Sequence, residues 1–321
     1  MSQSRATSRR KAAAPAVKPK PLSRSPYLWG GIAVLLLALA LAGIAIFGQM
    51  AGPAAITPQQ QADPAFIGPG LHSLVIDSKN PAHIFVGGHA SAVVSMDGGK
   101  TLSQVKGLRG LDAMNWTVSS DGAQQAVAGH YGLRVSTDAG VSWTDLTTNL
   151  PYSDVHALGM IPDNASQLFA YVVGKGVYAS SDQGHSWSLR GGQDLSMMGP
   201  MVVHPGGTSL LGVDMQSGLV QSTDGGRSWK AVGSGLMVSS LAVDPGDSSN
   251  LVAVGSGVEQ SNDGGATWSL TGGSLPPGTV AIAIAAGTNA PWYAGLMLNQ
   301  HAVLFHSTDS GATWQAVTQD P

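Results

Sequence analysis

The chain contains no cysteine among its 321 residues. It can therefore form neither a disulfide bond nor the cysteine-linked lipid anchor of a lipoprotein. Charged residues are also few, at 11% of the sequence, and no segment shows sustained helical periodicity of apolar residues. Together with 43 glycines, these absences favour one large all-β domain with many tight turns and sheets buried on both faces.

Positive charge is scarce after the N-terminal tail. Residues 1–26 hold seven of the 16 Lys and Arg residues and no acidic residue, whereas the rest of the chain sets nine basic residues against all 19 acidic ones. Recognition of a phosphate backbone needs a dense positive face. Nucleic acid is therefore not an expected partner.

Residues 27–48 form the longest apolar run, 22 residues without a charge. As a helix this run measures roughly 33 Å, enough to cross the hydrocarbon core of a bilayer. The basic tail before it predicts a cytoplasmic N-terminus. We expect a basic cytoplasmic tail at 1–26, a transmembrane helix at 27–48, a flexible linker at 49–64, and a domain at 65–321 outside the cytoplasm, either periplasmic or at the cell surface.

A cleaved signal peptide is the alternative interpretation of the same segment. The apolar run is longer than the 7–15 residues typical of a signal peptide, which favours an uncleaved anchor. Small residues at 51–55 keep cleavage open. The residues after the run are rich in Pro, Gln and Ala without periodicity, as in flexible linkers.

One short motif, Ser-x-Asp-x-Gly-x-Ser/Thr-Trp, recurs six times after residue 65. Its central aspartates lie 39 to 46 residues apart and are Asp97, Asp138, Asp182, Asp224, Asp263 and Asp309. A period of this length is typical of repeat architectures such as propellers. Each repeat has room for four short strands, predicted in the fifth at 238–243, 251–255, 258–261 and 266–270. The sequence thus predicts a six-bladed β-propeller of four-stranded antiparallel blades.

The motif resembles the Asp-box, or BNR, repeat, and the six copies extend over about four fifths of the chain. Leu102 departs from the tryptophan position in the first copy. Similar proteins include bacterial sialidases, glucan-degrading glycosidases, sortilin receptors and photosystem II assembly factors. The resemblance implies that the boxes occupy turns between the third and fourth strands and are structural. It does not fix a function, because the superfamily contains enzymes, receptors and assembly factors.

A sialidase of this superfamily would need three arginines around a carboxylate and a Tyr–Glu nucleophile pair. Outside the tail the arginines are Arg109, Arg134, Arg190 and Arg227, and the only glutamate is Glu259. Arg227 lies inside a box. We therefore do not expect sialidase chemistry.

A glycosidase of another type needs only two suitably spaced carboxylates. Asp112, Asp154 and Asp194 fall in three successive loops between blades and are the candidate catalytic residues. These loops should lie on the face opposite the boxes, around the channel. The competing interpretation is that the three aspartates stabilise turns, the commonest role of Asp in such loops.

Three histidines, His89, His130 and His301, each precede a box aspartate by eight residues. Histidine is the commonest metal ligand, but equivalent loops of adjacent blades are expected to lie too far apart for bonds of about 2 Å to one ion. We therefore predict no metal or other cofactor. Tyr131 and Lys175, in equivalent loops, fit a polar recognition surface.

Methionines are frequent near the same loops and include Met114, Met197, Met198, Met201, Met215, Met237 and Met297. Thioethers can hold Cu(I), but they more often fill cores or form adaptable surfaces for peptides. We predict a non-enzymatic binding or assembly module for a protein, peptide or glycan. Its binding face is predicted to include His89, His130, Tyr131, Lys175, Met197, Met198 and His301. Glycoside hydrolysis is the alternative, and copper handling a further one.

Overall fold

The computed structural model describes residues 56–233, 237–255, 257–271, 273–285 and 290–318. The predicted tail at 1–26 and the predicted transmembrane helix at 27–48 lie outside these ranges. Within them, no helix combines the length and the apolar character needed to cross a membrane.

The described residues form six sheets of four strands. Blade 1 contains β1 Leu71–Ile76, β2 Ile84–Gly88, β3 Ala92–Ser95 and β4 Ser103–Gln104. Blade 2 contains β5 Asn115–Val118, β6 Gln125–Gly129, β7 Gly132–Ser136 and β8 Thr144–Leu146. Blade 3 contains β9 Val155–Ile161, β10 Asn164–Val172, β11 Gly176–Ser180 and β12 Ser188–Gly191.

The second half of the domain continues in the same order. Blade 4 contains β13 Val202–Val203, β14 Leu210–Asp214, β15 Gly218–Ser222 and β16 Lys230–Ala231. Blade 5 contains β17 Ser240–Asp244, β18 Asp247–Val254, β19 Val258–Ser261 and β20 Ser269–Leu270. Blade 6 contains β21 Ala281–Ile284, β22 Trp292–Leu298, β23 His301–Ser307 and β24 Gln315–Ala316.

Each sheet is built from four consecutive strands, all paired antiparallel. The first strands of successive blades contact one another in the cyclic order β1, β5, β9, β13, β17, β21 and back to β1. This closure confirms the predicted six-bladed propeller. The four predicted strands of blade 5 are recovered, the third with identical bounds. β18 begins four residues earlier than predicted, and β20 begins three residues later.

The six repeated motifs form turns between the third and fourth strands, with one set of hydrogen bonds. In blade 1, Ser95 Oγ donates to Asp97 Oδ1 at 2.9 Å and accepts from the Gly99 amide at 2.7 Å. Asp97 also accepts from the amide and hydroxyl of Thr101. The aspartate side chain thus ties both arms of the turn together. The Gly98 amide donates a hydrogen bond to the carbonyl of Ala82, in the β1–β2 connection. The repeat turns therefore lie at the same end of the propeller as the connections between first and second strands.

Apolar side chains fill the spaces between adjacent blades. Between blades 1 and 2, the ring of Phe85 lies 4.9 Å from Trp116, which lies 5.3 Å from the repeat-turn residue Trp143. The central channel is narrow, with a cavity of about 150 Å³ bordered by residues such as Leu74, Leu158 and Leu241. The channel interior is therefore mainly apolar, and polar chemistry has to be sought at its ends.

The last part of the predicted linker contains a short helix, α1 Pro58–Ala62. Thr57 and Gln60 form a capping box at its start and Pro58 occupies the first turn, which explains why so short a segment is helical. The side chain of Gln104 donates to the carbonyls of Gln60 and Asp63, both at 2.8 Å. This part of the linker is therefore attached to blade 1.

Candidate functional site

The end of the channel opposite the repeat turns carries a compact group of imidazoles and carboxylates. Its members, referred to below as the His–Asp cluster, are His72, His89, Asp112, His130, Asp154 and His156. They come from blades 1, 2 and 3, which are consecutive in the ring. A small cavity of about 30 Å³ is bordered by His72, Asn115 and Ser240, and it shares Leu74 and Trp116 with the border of the channel cavity.

Two histidines of the cluster reach the site through β-bulges in first strands. The pairing of β1 with β2 shifts between Leu71 and Ser73, so that His72 is the extra residue. The pairing of β9 with β10 shifts likewise around His156. A bulge re-aims a side chain relative to the regular alternation of a strand. This is how a polar ring can emerge from a strand that otherwise packs in the core.

The other four members lie in connections that the backbone fixes. His89 follows β2, and its amide donates to the Gly70 carbonyl at 2.9 Å. His130 follows β6, and its carbonyl accepts from the Ser153 hydroxyl at 3.1 Å. Asp112 lies three residues before β5, and Asp154 directly precedes β9. The close approach of Gly129 to Asp112 matters here, since a Cβ on Gly129 would stand 2.1 Å from the Asp112 carbonyl oxygen.

The first half of the cluster, termed the outer triad, consists of His72, His89 and Asp112. Nε2 of His72 lies 3.4 Å from Nδ1 of His89. Oδ1 of Asp112 lies 3.8 Å from the former and 3.6 Å from the latter. The three atoms that could bind a metal ion, one from each side chain, thus lie at nearly equal distances from one another.

The second half, termed the inner triad, consists of His130, Asp154 and His156. Oδ1 of Asp154 lies 2.9 Å from Nε2 of His156 and 3.9 Å from Nε2 of His130. The halves are joined because Nδ1 of His130 donates a short hydrogen bond to Oδ2 of Asp112. The six side chains therefore form one continuous chain of polar contacts.

Burial increases along this chain from the outer to the inner triad. The side chains of His72 and His89 are 11% and 21% exposed, whereas those of His130, Asp154 and His156 are 4%, 2% and 5% exposed. The Asp112 side chain is fully buried. Buried ionisable groups persist when they are paired or when they coordinate a metal.

The pKa values of His72 and His130 are shifted in opposite directions by their surroundings. Burial lowers the pKa of His72 to about 4, more than the nearby charge of Asp112 can offset. Burial also acts to lower the pKa of His130, but the hydrogen bond to Asp112 and the charges of Asp112 and Asp154 together raise it. His72 is consequently neutral at physiological pH and keeps a lone pair for coordination.

Several buried polar atoms in the cluster have no hydrogen-bond partner among the described residues. They are Oδ1 of Asp112, Nε2 of His130 and Nε2 of His156, the last of which approaches Asp154 without the alignment of a hydrogen bond. An unsatisfied buried polar atom costs free energy.

The structure brings together four of the residues singled out from the sequence. Asp112 and Asp154 lie in the cluster with His89 and His130, whose rings are 5.7 Å apart. The two histidines nevertheless fall in different triads, and the expectation that their loops lie too far apart for bonds of about 2 Å to one ion stays a prediction. Because the ring of blades is tight at its axis, a loop of one blade meets the connection into the next.

Other predicted residues lie elsewhere. His301 pairs with Asp63 at 2.6 Å, and Asp194 and Lys175 are exposed outside the cluster. Tyr131 is half-buried beside His130, with its pKa raised by burial and by the charges of Asp112 and Asp154. Met197 is a core residue between blades 3 and 4, whereas Met198 is half-buried.

His72 and His156 were missed by sequence reasoning. Both interrupt an apolar first strand, as Leu71-His72-Ser73 and Val155-His156-Ala157. That shared position in two blades was the available signal. It is weak because the bulge that directs each ring to the mouth leaves no mark in the hydrophobic pattern.

The four arginines outside the tail have separate partners. Arg109 donates to Gln104, Arg134 pairs with Asp145, and Arg190 donates to the Gly225 carbonyl. Arg227 donates to the Asp224 carbonyl within its own repeat turn. In the described residues, none of these contacts places arginines together around a shared carboxylate site.

No protein-family model matches the sequence, and no curated protein matches it. Solved structures match the fold. A xyloglucanase of family GH74 from Xanthomonas campestris has 14% identity and a TM-score of 0.54, covering 78% of this chain and 46% of its own. A protein of unknown function from Bacteroides thetaiotaomicron has 11% identity and a TM-score of 0.56, covering 75% of this chain and 71% of its own. YCF48 bound to D1 peptide has 17% identity and a TM-score of 0.43, covering 63% of this chain and 66% of its own.

The likenesses to the xyloglucanase and to the Bacteroides thetaiotaomicron protein show the propeller fold alone. The chain spans less than half the length of the xyloglucanase. A fold shared at 11% or 14% identity does not carry an activity with it. Function must therefore be inferred from the site itself.

Proposed function

We propose that the protein is a non-enzymatic binding propeller that takes a divalent transition-metal ion on its outer triad, His72, His89 and Asp112. The spacing of the three donor atoms, 3.4, 3.6 and 3.8 Å, carries this proposal. Tetrahedral ligands at zinc, with bonds near 2.0–2.1 Å, lie about 3.3 Å from one another. Small side-chain rotations therefore suffice to close the triad around an ion.

The donor set selects the class of ion. Two imidazoles and one carboxylate, without a thiolate, suit Zn²⁺, Cu²⁺, Ni²⁺ or Fe²⁺ better than Mg²⁺ or Ca²⁺, which prefer oxygen ligands. Met197 and Met201 are buried among apolar neighbours between blades. The arrangement thus supports nitrogen and oxygen coordination more than a thioether site for Cu(I).

Three protein ligands leave a coordination position open. His89 is the most exposed of the three, at 21%, so the open position can face solvent. A carboxylate or imidazole of a protein or peptide partner is the donor that we expect there. The exposed Lys175, in the equivalent loop of blade 3, adds a charged group to the same face.

Glycoside hydrolysis is less well supported by this geometry. Catalytic carboxylates must reach the glycosidic oxygen and the sugar ring. The Asp112 and Asp154 side chains are 0% and 2% exposed and lie against imidazoles. The two carboxylates therefore offer almost no exposed surface to a sugar.

The cellular setting belongs to the proposal as well. An apolar anchor at 27–48, preceded by a basic tail, would hold the propeller outside the cytoplasm. The partner would then be an extracytoplasmic protein, peptide or glycan.

The test is titration of the purified full-length chain, without a histidine tag, with Zn²⁺ in a calorimeter. We expect His72→Ala to weaken Zn²⁺ binding by more than the about 10–100-fold typical of a lost outer-shell partner. His185→Ala is the matched control, because it removes one exposed imidazole from a repeat turn at the other end. Equal affinity of wild type and His72→Ala, repeated with Co²⁺, Ni²⁺ and Cu²⁺, would refute the proposal.

A further inference from the structure

We infer that the inner triad, His130, Asp154 and His156, is a second metal site, coupled to the outer one through Asp112. This inference rests on the proposed function, since it extends the same cluster. It adds a second ion, a specific link between the ions, and a distinct role for each oxygen of one carboxylate.

The inner triad repeats the chemistry of the outer triad. It again offers two imidazoles and one carboxylate, with one donor atom of each residue lying within 4.8 Å of the others. Two of the separations are 2.9 and 3.9 Å. These values bracket the spacing of about 3.3 Å that a tetrahedral zinc site requires.

Burial supplies an independent observation. The histidines of the inner triad are 4% and 5% exposed, and their Nε2 atoms have no hydrogen bond among the described residues. Leaving two buried ring nitrogens unsatisfied costs free energy. One ion between them and the Asp154 carboxylate satisfies both nitrogens together.

Asp112 connects the two sites because its two oxygens face different partners. Oδ1 lies between His72 and His89 of the outer triad. Oδ2 accepts the hydrogen bond from Nδ1 of His130, whose opposite nitrogen, Nε2, faces Asp154. Metal-bound histidines commonly donate their second ring N–H to a carboxylate, which fixes the tautomer and orientation of the ring. Asp112 is thus a ligand of the outer ion and a positioning residue for the inner one.

Because Asp112 contacts both triads, three substitutions are expected to have different effects on the two metal sites. His72→Ala removes a ligand from the outer triad and leaves the Asp112–His130 hydrogen bond in place. Asp112→Asn changes the outer ligand and also weakens the support of His130. His156→Ala removes only an inner ligand.

The experiment measures Zn²⁺ stoichiometry and affinity on the full-length chain by calorimetry, with native mass spectrometry as a second readout. We expect two ions in wild type and one in each of the three variants. The ion retained by His72→Ala should bind about as tightly as the inner ion of wild type. The ion retained by Asp112→Asn should bind about 10–100-fold more weakly than in His72→Ala, as expected for a lost outer-shell partner.

The failures of the two proposals are separable. No ion in wild type overturns the proposed function and this inference together. One ion in wild type, lost in His72→Ala and retained in His156→Ala, leaves the proposed function standing and overturns the second site. Equal affinity of the retained ion in Asp112→Asn and His72→Ala overturns the coupling. Far-ultraviolet circular dichroism and urea midpoints identify any variant that fails to fold. If Asp112→Asn fails to fold, the test of the second site rests on the number of ions bound by His72→Ala and His156→Ala.

Discussion

At the scale of single residues, the position of Asp112 depends on Gly129, which has no functional group of its own. Gly129 ends β6, directly before His130, and its α-carbon faces the backbone of Asp112. A methyl group there would stand 2.1 Å from the Asp112 carbonyl oxygen and 3.3 Å from its Cγ. Backbone atoms cannot yield as the end of a flexible side chain can. The lack of a side chain at Gly129 therefore allows the Asp112 backbone, and with it the carboxylate that links the two triads, to take its position.

We expect Gly129→Ala to displace Asp112, to lower Zn²⁺ affinity and to destabilise the fold. Gly110→Ala is the matched control, because Gly110 has φ of +72° but no atom within 4 Å of the place that a Cβ would occupy. It should cost only the strain of a left-handed backbone, about 1–2 kcal/mol, with Zn²⁺ affinity unchanged. Urea unfolding and calorimetry check both variants. Wild-type Zn²⁺ affinity in Gly129→Ala would contradict this account.

At the scale of elements, the repeat turns are electrostatic as well as geometric devices. Hydrogen bonds from the hydroxyl and amide of the residue four positions later, and from the preceding serine, lower the pKa of the central aspartates. The value falls to about 2 for Asp138, Asp182, Asp263 and Asp309. A carboxylate with a lower pKa in the folded state stabilises that state above its unfolded pKa, near 4. This stabilisation is lost as the pH falls toward 2.

The expected result is a urea midpoint that falls steeply between about pH 4 and 2. A shallower fall between about pH 6.5 and 4 should precede it, because the pKa of His72 is lowered in the folded state. Asp182→Asn should reduce this pH dependence, because one carboxylate no longer takes up a proton on unfolding. Asp194→Asn, at an exposed aspartate outside the turns, is the control. Identical pH profiles for Asp182→Asn and wild type would show that the turns do not act in this way.

The repeat turns could be predicted from the sequence, whereas the contacts between blades could not. The six turns were predictable because each is held by side chains within eight consecutive residues, as in Ser180 to Trp187. The four-stranded blades follow from the spacing of those turns. The contacts between blades were not predictable in the same way, since they depend on the curvature of the ring.

The His–Asp cluster contains features of both kinds, some predictable from local sequence and some dependent on contacts between blades. His89, Asp112, His130 and Asp154 could be assigned to one face from their loops alone. Their mutual distances could not, because nothing local states how closely a loop of blade 1 approaches the connection into blade 2. His72 and His156 depend on bulges, which insert one residue without disturbing the surrounding apolar pattern.

At the scale of the whole molecule, the absence of cysteine gives a direct test of the proposed membrane orientation. A single introduced thiol is unique in the chain, so its labelling reports one position. Ser181→Cys lies at an exposed site in a repeat turn of blade 3, and Ser8→Cys lies in the basic tail. Both are serine substitutions of equal size.

We expect a membrane-impermeant maleimide to label Ser181→Cys in intact cells, and Ser8→Cys only after permeabilisation, because the basic tail should stay in the cytoplasm. Deletion of residues 27–48 should abolish labelling in intact cells. Labelling of Ser8→Cys alone in intact cells would reverse the proposed orientation.

The ring closes without any exchange of strands, since blades 1 and 6 are each formed by one continuous stretch of chain. What crosses their boundary is the segment before β1, where Phe66 bridges to His301 and Asp63 pairs with the same histidine. A mechanical load applied to the chain before residue 56 therefore enters the propeller at this seam. The few bonds of the segment would bear that load first, before the hydrogen bonds of the sheets.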